Sequence, residues 1–188
     1  MKKHVLKFYP VANGDTTLAK LMNRTTILID CKIRDKSEDT NGNKTFDVKQ
    51  DLLEELEKKN SNYFLDLFIL THPDQDHCLG FDKHFYTGNP DSYSNANREN
   101  NEIIAHELWV TSSLFNDANN EDAKALKKEA ERRRKLWDVD SPDKEKDGNR
   151  IRMIGYDGDE RFETLLNSIP GDTLTLKDIN GSDSDNFE

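Results

Sequence analysis

The sequence predicts an α/β domain whose candidate functional residues follow a buried strand. Residues 65–70 are mostly apolar, and Pro73 prevents the chain from continuing in the sheet. Helical patterns of apolar or ion-paired residues occupy residues 47–59 and 122–137. A chain of 188 residues is long enough to bury one real core. We therefore expect one domain with its chemistry at the carboxyl end of a strand, where α/β sheets usually place it.

The elements before this strand read as a hairpin and a helix. Residues 3–9 and 16–22 alternate in strand fashion, and a turn leads from the second of these strands into a third at residues 25–30. Asp47 and Gln50 form a capping-box pattern that begins a helix extending to about residue 59. That helix returns the chain to the apolar strand.

Four potential metal ligands then lie within six residues: His72, Asp74, Asp76 and His77. The first two, one residue apart, can converge on one ion, and the adjacent Asp76 and His77 can turn toward a second. Two ions about 3.5–4 Å apart polarise a scissile bond and supply a hydroxide nucleophile. Imidazole favours zinc, whereas carboxylates also suit manganese. The alternative is a set of turn and cap residues, because Asp favours turns for local reasons.

This run resembles the His-x-His-x-Asp-His signature of the metallo-β-lactamase superfamily, with Asp74 where most members have a second histidine. The form His-Pro-Asp-x-Asp-His, followed by Gly80, is most similar to the ComEC-like branch, the hydrolase domain of competence DNA-internalisation proteins. Three further stretches resemble that branch in the same order: Asn13-Gly14-Asp15, residues 26–31 and residues 107–112.

The resemblance implies a metallo-β-lactamase-like αββα sandwich holding two divalent ions, zinc first and manganese second. It assigns His72 and Asp74 to one ion and Asp76 and His77 to the other. Asp76 becomes the best candidate to hold or orient the attacking water, and Asp30 orients the loop rather than binding an ion. The implied substrate is a phosphodiester, either a small molecule or a nucleic acid, although the superfamily also includes thioesterases and lactonases.

The departures from the family pattern are as informative as the match. No histidine follows His106, so the later ligands of the superfamily have no imidazole here. Asp157 and Asp159 are carboxylate substitutes, although a Gly-Asp cluster is more often a turn. We therefore expect residues 1–179 to be the N-terminal portion of the fold, incomplete at its C-terminus, completed by a partner chain or a missing C-terminal half.

The last residues and the polar loops leave alternatives open. Residues 180–188 read as a polar tail, and a compact variant of the fold with an ordinary acidic tail is the alternative to an incomplete one. Residues 86–101 form a polar loop, either beside the substrate entrance or as a disordered insertion.

Composition sets the remaining bounds. The net charge, 27 minus 37 or −10, disfavours non-specific binding of nucleic acid by the whole surface. The basic residues of the helix at 122–137 are interleaved with glutamates, which favours an ion-paired face over a nucleic-acid contact. No apolar stretch approaches a membrane span. Cys31 and Cys78 do not make a disulfide scaffold, so a cytoplasmic location is expected.

Two functions remain after these exclusions. The first is a metal-dependent hydrolase. The second is a truncated, non-catalytic interaction or regulatory module with a degenerate metal site.

Overall fold

A computed structural model describes residues 3–34 and 44–155, together with the backbone of residues 173–175. The strands are β1 Val5–Phe8, β2 Thr17–Lys20, β3 Thr26–Ile29, β4 Cys31–Lys32, β5 Glu57–Lys59, β6 Asn62–Leu70, β7 Ile103–Thr111, β8 Arg150–Gly155 and β9 Thr173–Thr175. The helices are α1 Val48–Glu55, α2 Gln75–Cys78, α3 Phe81–His84, α4 Asn95–Glu99, α5 Ser113–Asp117 and α6 Glu121–Asp138, with a 3₁₀ turn at Pro90–Ser92.

The strands form one mixed sheet in the order β1-β2-β3-β6-β7-β8-β9, and β5 pairs with the start of β6. The first three strands are antiparallel, as the predicted hairpin requires. From β3 to β9 every pair along this order is parallel. The prediction of an α/β protein is therefore confirmed. Residues 71–77, which we call the metal loop, follow directly after β6.

The two faces of the sheet differ in what covers them. One transverse row of side chains is buried beneath the helices. In this row the ring centroid of Phe68 lies 5.3 Å from that of Phe81 in α3. The strand register defines this row as Leu18, Leu28, Phe68, Leu108 and Ile151.

The two rows beside it point to the opposite face. One contains Leu6, Ala19, Ile27, Leu67 and Glu107, and the other contains Phe8, Thr17, Ile29, Ile69 and Trp109. We call these two rows the open face. Leu6 and Phe8 are 64% and 74% exposed, and Ile27, Ile29, Leu67 and Ile69 are only half-buried. The open face is therefore a largely apolar surface that no described helix covers.

Within the described residues there is one sheet, so the two-sheet αββα sandwich is not displayed there. Asp157, Asp159 and the polar tail at 180–188 lie outside the described residues. Residues 3–34 and 44–155 contain no helix both long and apolar enough to cross a bilayer.

The helix expected over residues 47–59 ends earlier than its pattern indicates. Asp47 caps it as predicted, since its side chain accepts from the Gln50 N–H at 2.9 Å. The helix ends at Glu55, because β5 then pairs antiparallel with β6. Asn60 and Ser61 join those strands with φ of 52° and 67°, the left-handed backbone that a two-residue hairpin turn needs.

The polar segment 86–101 is ordered, so the expectation of a disordered insertion is wrong. It contains a 3₁₀ turn and α4, which Ser94 and Asn97 begin as a capping box. Tyr86 N–H bonds the Ile103 carbonyl, and Arg98 Nε bonds Asn62 Oδ1 at 2.9 Å. Both partners lie at the amino ends of β7 and β6, so this segment is at the opposite end of the sheet from the metal loop.

The basic helix α6 is ion-paired as predicted, but part of its charge is buried. Arg133 and Glu129 are 1% and 2% exposed, and Arg133 Nε donates to Glu129 Oε1 at 2.8 Å. The same guanidinium donates to the carbonyls of Ala105 and Arg150, at 2.9 and 3.0 Å. Arg133 thus ties α6 to β7 and β8, and this part of the helix is not a solvated face.

Candidate metal site

Three segments that are distant in sequence bring two carboxylates and an imidazole together. Asp15 lies in the loop before β2, Asp30 directly after β3, and His77 in α2 after the metal loop. One ligand atom from each lies within 4.8 Å of the others. In the described part of the chain this is the one group of three such side chains with the composition to hold an ion. It can hold one metal ion.

Asp30 is the buried centre of this group. Its residue is 2% exposed and has a φ of 53°, an uncommon backbone conformation for a non-glycine residue. Its carboxylate accepts from the backbone N–H of Thr71 at 2.8 Å and from the Thr71 hydroxyl at 2.6 Å. Asp30 also lies 2.9 Å from Nδ1 of His77. These contacts fix the start of the metal loop, the role that the resemblance implies.

The hydrogen bonds of Thr71 and Asp30 determine which ring nitrogen of His72 and of His77 carries the proton. Because the Thr71 hydroxyl gives its one proton to Asp30, Nδ1 of His72 must be the donor in its 3.0 Å contact with that hydroxyl. His77 likewise donates from Nδ1 to Asp30. In neutral rings this leaves the Nε2 lone pairs of both histidines free to bind a cation.

The predicted ligands of the loop lie around those Nε2 atoms. Nε2 of His72 is 3.6 Å from Asp74 Oδ2, and Nε2 of His77 is 3.9 Å from Asp76 Oδ1. The two imidazole centroids are 3.6 Å apart. His77 is nearly buried, whereas the side chains of His72 and Asp74 are 42% and 66% exposed. The structure thus brings all four predicted residues together in pairs, open to solvent on one side.

Asp15 is a candidate ligand that the interpretation of the sequence did not name. Its carboxylate is 4.0 Å from Nδ1 of His77 and 74% exposed. The hairpin register pairs Thr17 with Ile29, so residues just before β2 must lie opposite residues just after β3. The same register, applied to the predicted hairpin, places Asp15 near Asp30.

The turn at Gly14 brings Asp15 against the metal loop. Gly14 has a φ of +99°, and a Cβ atom placed on it would lie 2.3 Å from the Asp76 carbonyl oxygen. Glycine is required there for both reasons, since other residues rarely adopt that φ and the gap admits no side chain. Loop 13–15 is therefore in direct contact with residue 76.

Beside this contact lies an open cavity of about 440 Å³, lined by Asn13, Lys32, Gln75, Asp76 and Leu79. Lys32 is 7% exposed, and its ammonium donates to the backbone and side-chain oxygens of Asn13. Burial, together with nearby Arg34, lowers the pKa of Lys32, while Asp76 opposes that shift. Among the described residues, Lys32 makes no ion pair with a carboxylate.

The two cysteines are buried next to Asp30 and His77. Cys31 follows Asp30, Cys78 follows His77, and both are 0% exposed. Burial raises the pKa of Cys78 to about 12 and also raises that of Cys31 well above its usual value. Their full burial agrees with the expected role of small buried hydrophobes.

The other histidines do not join the group. His106 lies in β7, with its Nδ1 2.8 Å from Asp147 and its ring 5.7 Å from Phe64. Burial lowers the pKa of His106, although Asp147 opposes that effect. His84 lies in α3 beneath the sheet and is 9% exposed.

The donor chemistry fits a divalent ion. Zinc bound by imidazole and carboxylate at about 2.1 Å needs ligand atoms about 3.4 Å apart, so a small approach by Asp15, Asp74 or Asp76 would complete a site. These carboxylates are at least partly exposed to solvent. A metal site with few protein ligands and one side open to solvent is typical of catalytic rather than structural sites.

The chain was compared with protein-family profiles, with curated proteins and with solved structures, and none of the three comparisons found a match. The resemblance to the ComEC-like branch therefore rests on the motif residues alone.

Proposed function

We propose that this chain is a metal-dependent hydrolase of the metallo-β-lactamase type. The observation that supports the proposal is the convergence of His72, Asp74, Asp76 and His77 at the carboxyl end of β6, with Asp30 behind them. Asp30 fixes the tautomer of His77, the kind of support that metal-ligating histidines usually receive.

In this proposal ions bind on the Nε2 side of the two histidines. A divalent ion there lowers the pKa of water and polarises a phosphoryl or acyl centre. Asp76, half-buried at the cavity wall, orients the attacking water, and Thr71 transmits the position of Asp30 to His72. The proposal includes two ions, zinc before manganese, and a phosphodiester substrate. It also includes the two-sheet sandwich of which the observed sheet would be one half.

A competing arrangement is one ion held by Asp15, Asp30 and Nδ1 of His77. This arrangement requires Nδ1 of His77 to lose the proton that it donates to Asp30. The two arrangements therefore use different nitrogens of His77. The two arrangements predict different sensitive carboxylates, which makes them separable by mutation.

The experiment that tests the proposal measures zinc and manganese per chain by elemental mass spectrometry, with hydrolysis of bis-p-nitrophenyl phosphate and p-nitrophenyl acetate measured in parallel. We expect bound metal and turnover in the wild type, and loss of both in His77→Ala. Asp76→Asn should lose far more metal than Asp15→Asn. His4→Ala, an exposed histidine outside the site, is the matched control and should change neither.

If Asp15→Asn loses more metal than Asp76→Asn, the ion is held by Asp15, Asp30 and His77 and not by the residues of the metal loop. Wild-type protein that holds no metal after incubation with either ion would refute the hydrolase proposal.

A second candidate function, a non-catalytic interaction module, is favoured by one observation, the open face. Half-buried apolar rows on one side of a sheet are the surface that a second layer normally covers. In this alternative, a partner chain or further sequence packs on these rows, and any metal only stabilises the loop.

A further inference from the structure

Lys32 has a contact pattern that the proposed metal chemistry does not use. It is almost fully buried, yet its described partners are the two neutral oxygens of Asn13. A buried ammonium without a carboxylate partner is costly, because neutral oxygens replace only part of its hydration. An ammonium has three protons, so one donor remains after the two contacts with Asn13.

Lys32 also borders an open cavity. Lys32 forms the wall of the 440 Å³ cavity with Asn13, Gln75 and Asp76. The side-chain oxygen of Asn13 accepts from Lys32, so its NH₂ group is left as a donor, and Gln75 adds a second amide. One ammonium and two amides together make a donor set for an anion with several oxygens.

The cavity is also next to the candidate metal site. Asp76 belongs to both, and Asn13 is two residues from Asp15, at most about 7 Å along the chain. A Cβ atom placed on Gly14 would lie 3.0 Å from Cδ of Lys32 and 2.9 Å from Cβ of Asp76, so both side chains border the same space beside Gly14.

From this placement we infer that Lys32, with Asn13 and Gln75, forms an oxyanion-binding subsite that selects substrates carrying a phosphate or carboxylate group beside the scissile bond. The inference rests on the proposed function for its role in substrate choice. Lys32 acts as a specificity-determining residue, which holds the anion while the metal loop carries the chemistry. A substrate lacking that group would leave Lys32 with the neutral oxygens of Asn13 and the electrostatic attraction of Asp76 as its described stabilisation.

The experiment measures binding of inorganic phosphate and of acetate by isothermal titration calorimetry, to metal-free and metal-loaded protein. We expect the wild type to bind phosphate, and Lys32→Met to weaken that binding at least tenfold while the metal content stays unchanged. Lys32→Arg, which keeps the charge, should restore part of it. Lys49→Met is the matched control, because Lys49 is also held by two carbonyl oxygens but lines none of the cavities beside the metal loop.

A second variant keeps Lys32 in place, in case its replacement unfolds the loop. Gln75→Glu puts a negative charge on the exposed cavity wall and should also weaken phosphate binding at least tenfold, whereas Gln50→Glu, on the surface of α1, should not. Tighter binding of acetate than of phosphate would assign the subsite to carboxylates.

The inference is overturned if the wild type binds neither anion, or if Lys32→Met binds them as the wild type does with its fold and metal content intact. These outcomes are distinct from failure of the proposed function, which appears as absence of bound metal whatever the anion result.

Discussion

At the residue scale, the site depends on a chain of polar contacts that fixes proton positions. Asp30 receives three hydrogen bonds from Thr71 and His77, and through Thr71 it also determines the tautomer of His72. Asp30, whose backbone has a positive φ, therefore determines which imidazole nitrogens face the carboxylates of Asp74 and Asp76. The Asp30 position carries both backbone strain and polar contacts, a combination typical of functional sites.

Replacing Asp30 by Asn tests this chain of contacts. Asn keeps the shape and can still accept from Thr71, but it removes the charge facing His77. We expect metal affinity to fall by about 10- to 100-fold, the usual cost of losing the partner of a metal-ligating histidine. Asp66→Asn, which changes another buried-strand carboxylate bonded to a threonine, should leave metal affinity unchanged. Calorimetric zinc titration gives both values, and equal affinity in wild type and Asp30→Asn would remove Asp30 from the site.

The cysteines provide a pH prediction. Folding raises the pKa of Cys78 from about 8.5 to about 12, so between these values the unfolded chain has lost a proton that the folded chain keeps. Stability from this group is complete below about pH 8.5 and is lost as pH rises toward 12. Wild type should therefore lose stability relative to Cys78→Ala across that range, measured by urea unfolding at several pH values.

A parallel measurement uses thiol reactivity. At pH 8 neither Cys31 nor Cys78 should react with Ellman's reagent in the folded chain, and both should react in denaturant. Rapid native reaction of either thiol would contradict the burial described here.

At the element scale, short loops carry more of the site than the long helices do. The sequence predicted β6 and α6 well, because apolar runs and charge periodicity are local signals. It missed the end of α1 at Glu55, since the competing hairpin depends on pairing with β6. It also missed Asp15, because its proximity to His77 follows from strand register rather than from any local pattern.

Gly14 joins two of these loops, and Gly14→Ala should separate them. A Cβ 2.3 Å from the Asp76 carbonyl must displace one loop, and alanine at φ +99° adds strain of about 1–3 kcal/mol. We expect lower stability and at least tenfold weaker metal binding. Gly88→Ala has comparable strain, with φ of +130°, but lies far from the loop, so it should lose stability alone. Similar metal affinity in the two variants would show that loop 13–15 does not support the site.

The buried pair in α6 predicts a stability effect without a functional one. Arg133→Met removes the bonds to Glu129 and to the carbonyls of β7 and β8, which should cost about 3–5 kcal/mol, as breaking a buried pair does. Lys124→Met breaks only an exposed pair with Glu121 and should cost at most about 1 kcal/mol. Urea unfolding measures both, and a small loss in Arg133→Met would mean that Arg132 alone satisfies Glu129.

At the scale of the whole molecule, the described helices leave the apolar rows of the open face uncovered. The sequence indicated an incomplete sandwich through the missing downstream histidines, and the open face agrees with that expectation without testing it. What covers the open face cannot be read from the hydrophobic pattern, because inward-facing and partner-facing apolar residues look alike in a sequence.

The open face should bind a hydrophobic dye. The double variant Leu6→Gln, Phe8→Gln removes its two most exposed apolar side chains and should lower anilinonaphthalene sulfonate fluorescence while changing stability by less than about 1 kcal/mol. Val139→Gln, with the same 64% exposure as Leu6 but located after α6, is the control. Unchanged fluorescence in the double variant would show that these rows are already covered.

The three carboxylate and imidazole groups of the candidate site come from segments that meet only after the hairpin has docked on β6. Neither the hairpin nor the metal loop can form the Asp15, Asp30 and His77 group by itself, so an ion would bind the folded chain and not the unfolded one. Binding and folding are then thermodynamically linked, and free metal at 100 times its dissociation constant would add about 2.7 kcal/mol to stability. The ion would thus act as a reversible cross-link between residues 15, 30 and 77 of the chain, and a chelator would lower the melting temperature without touching the core.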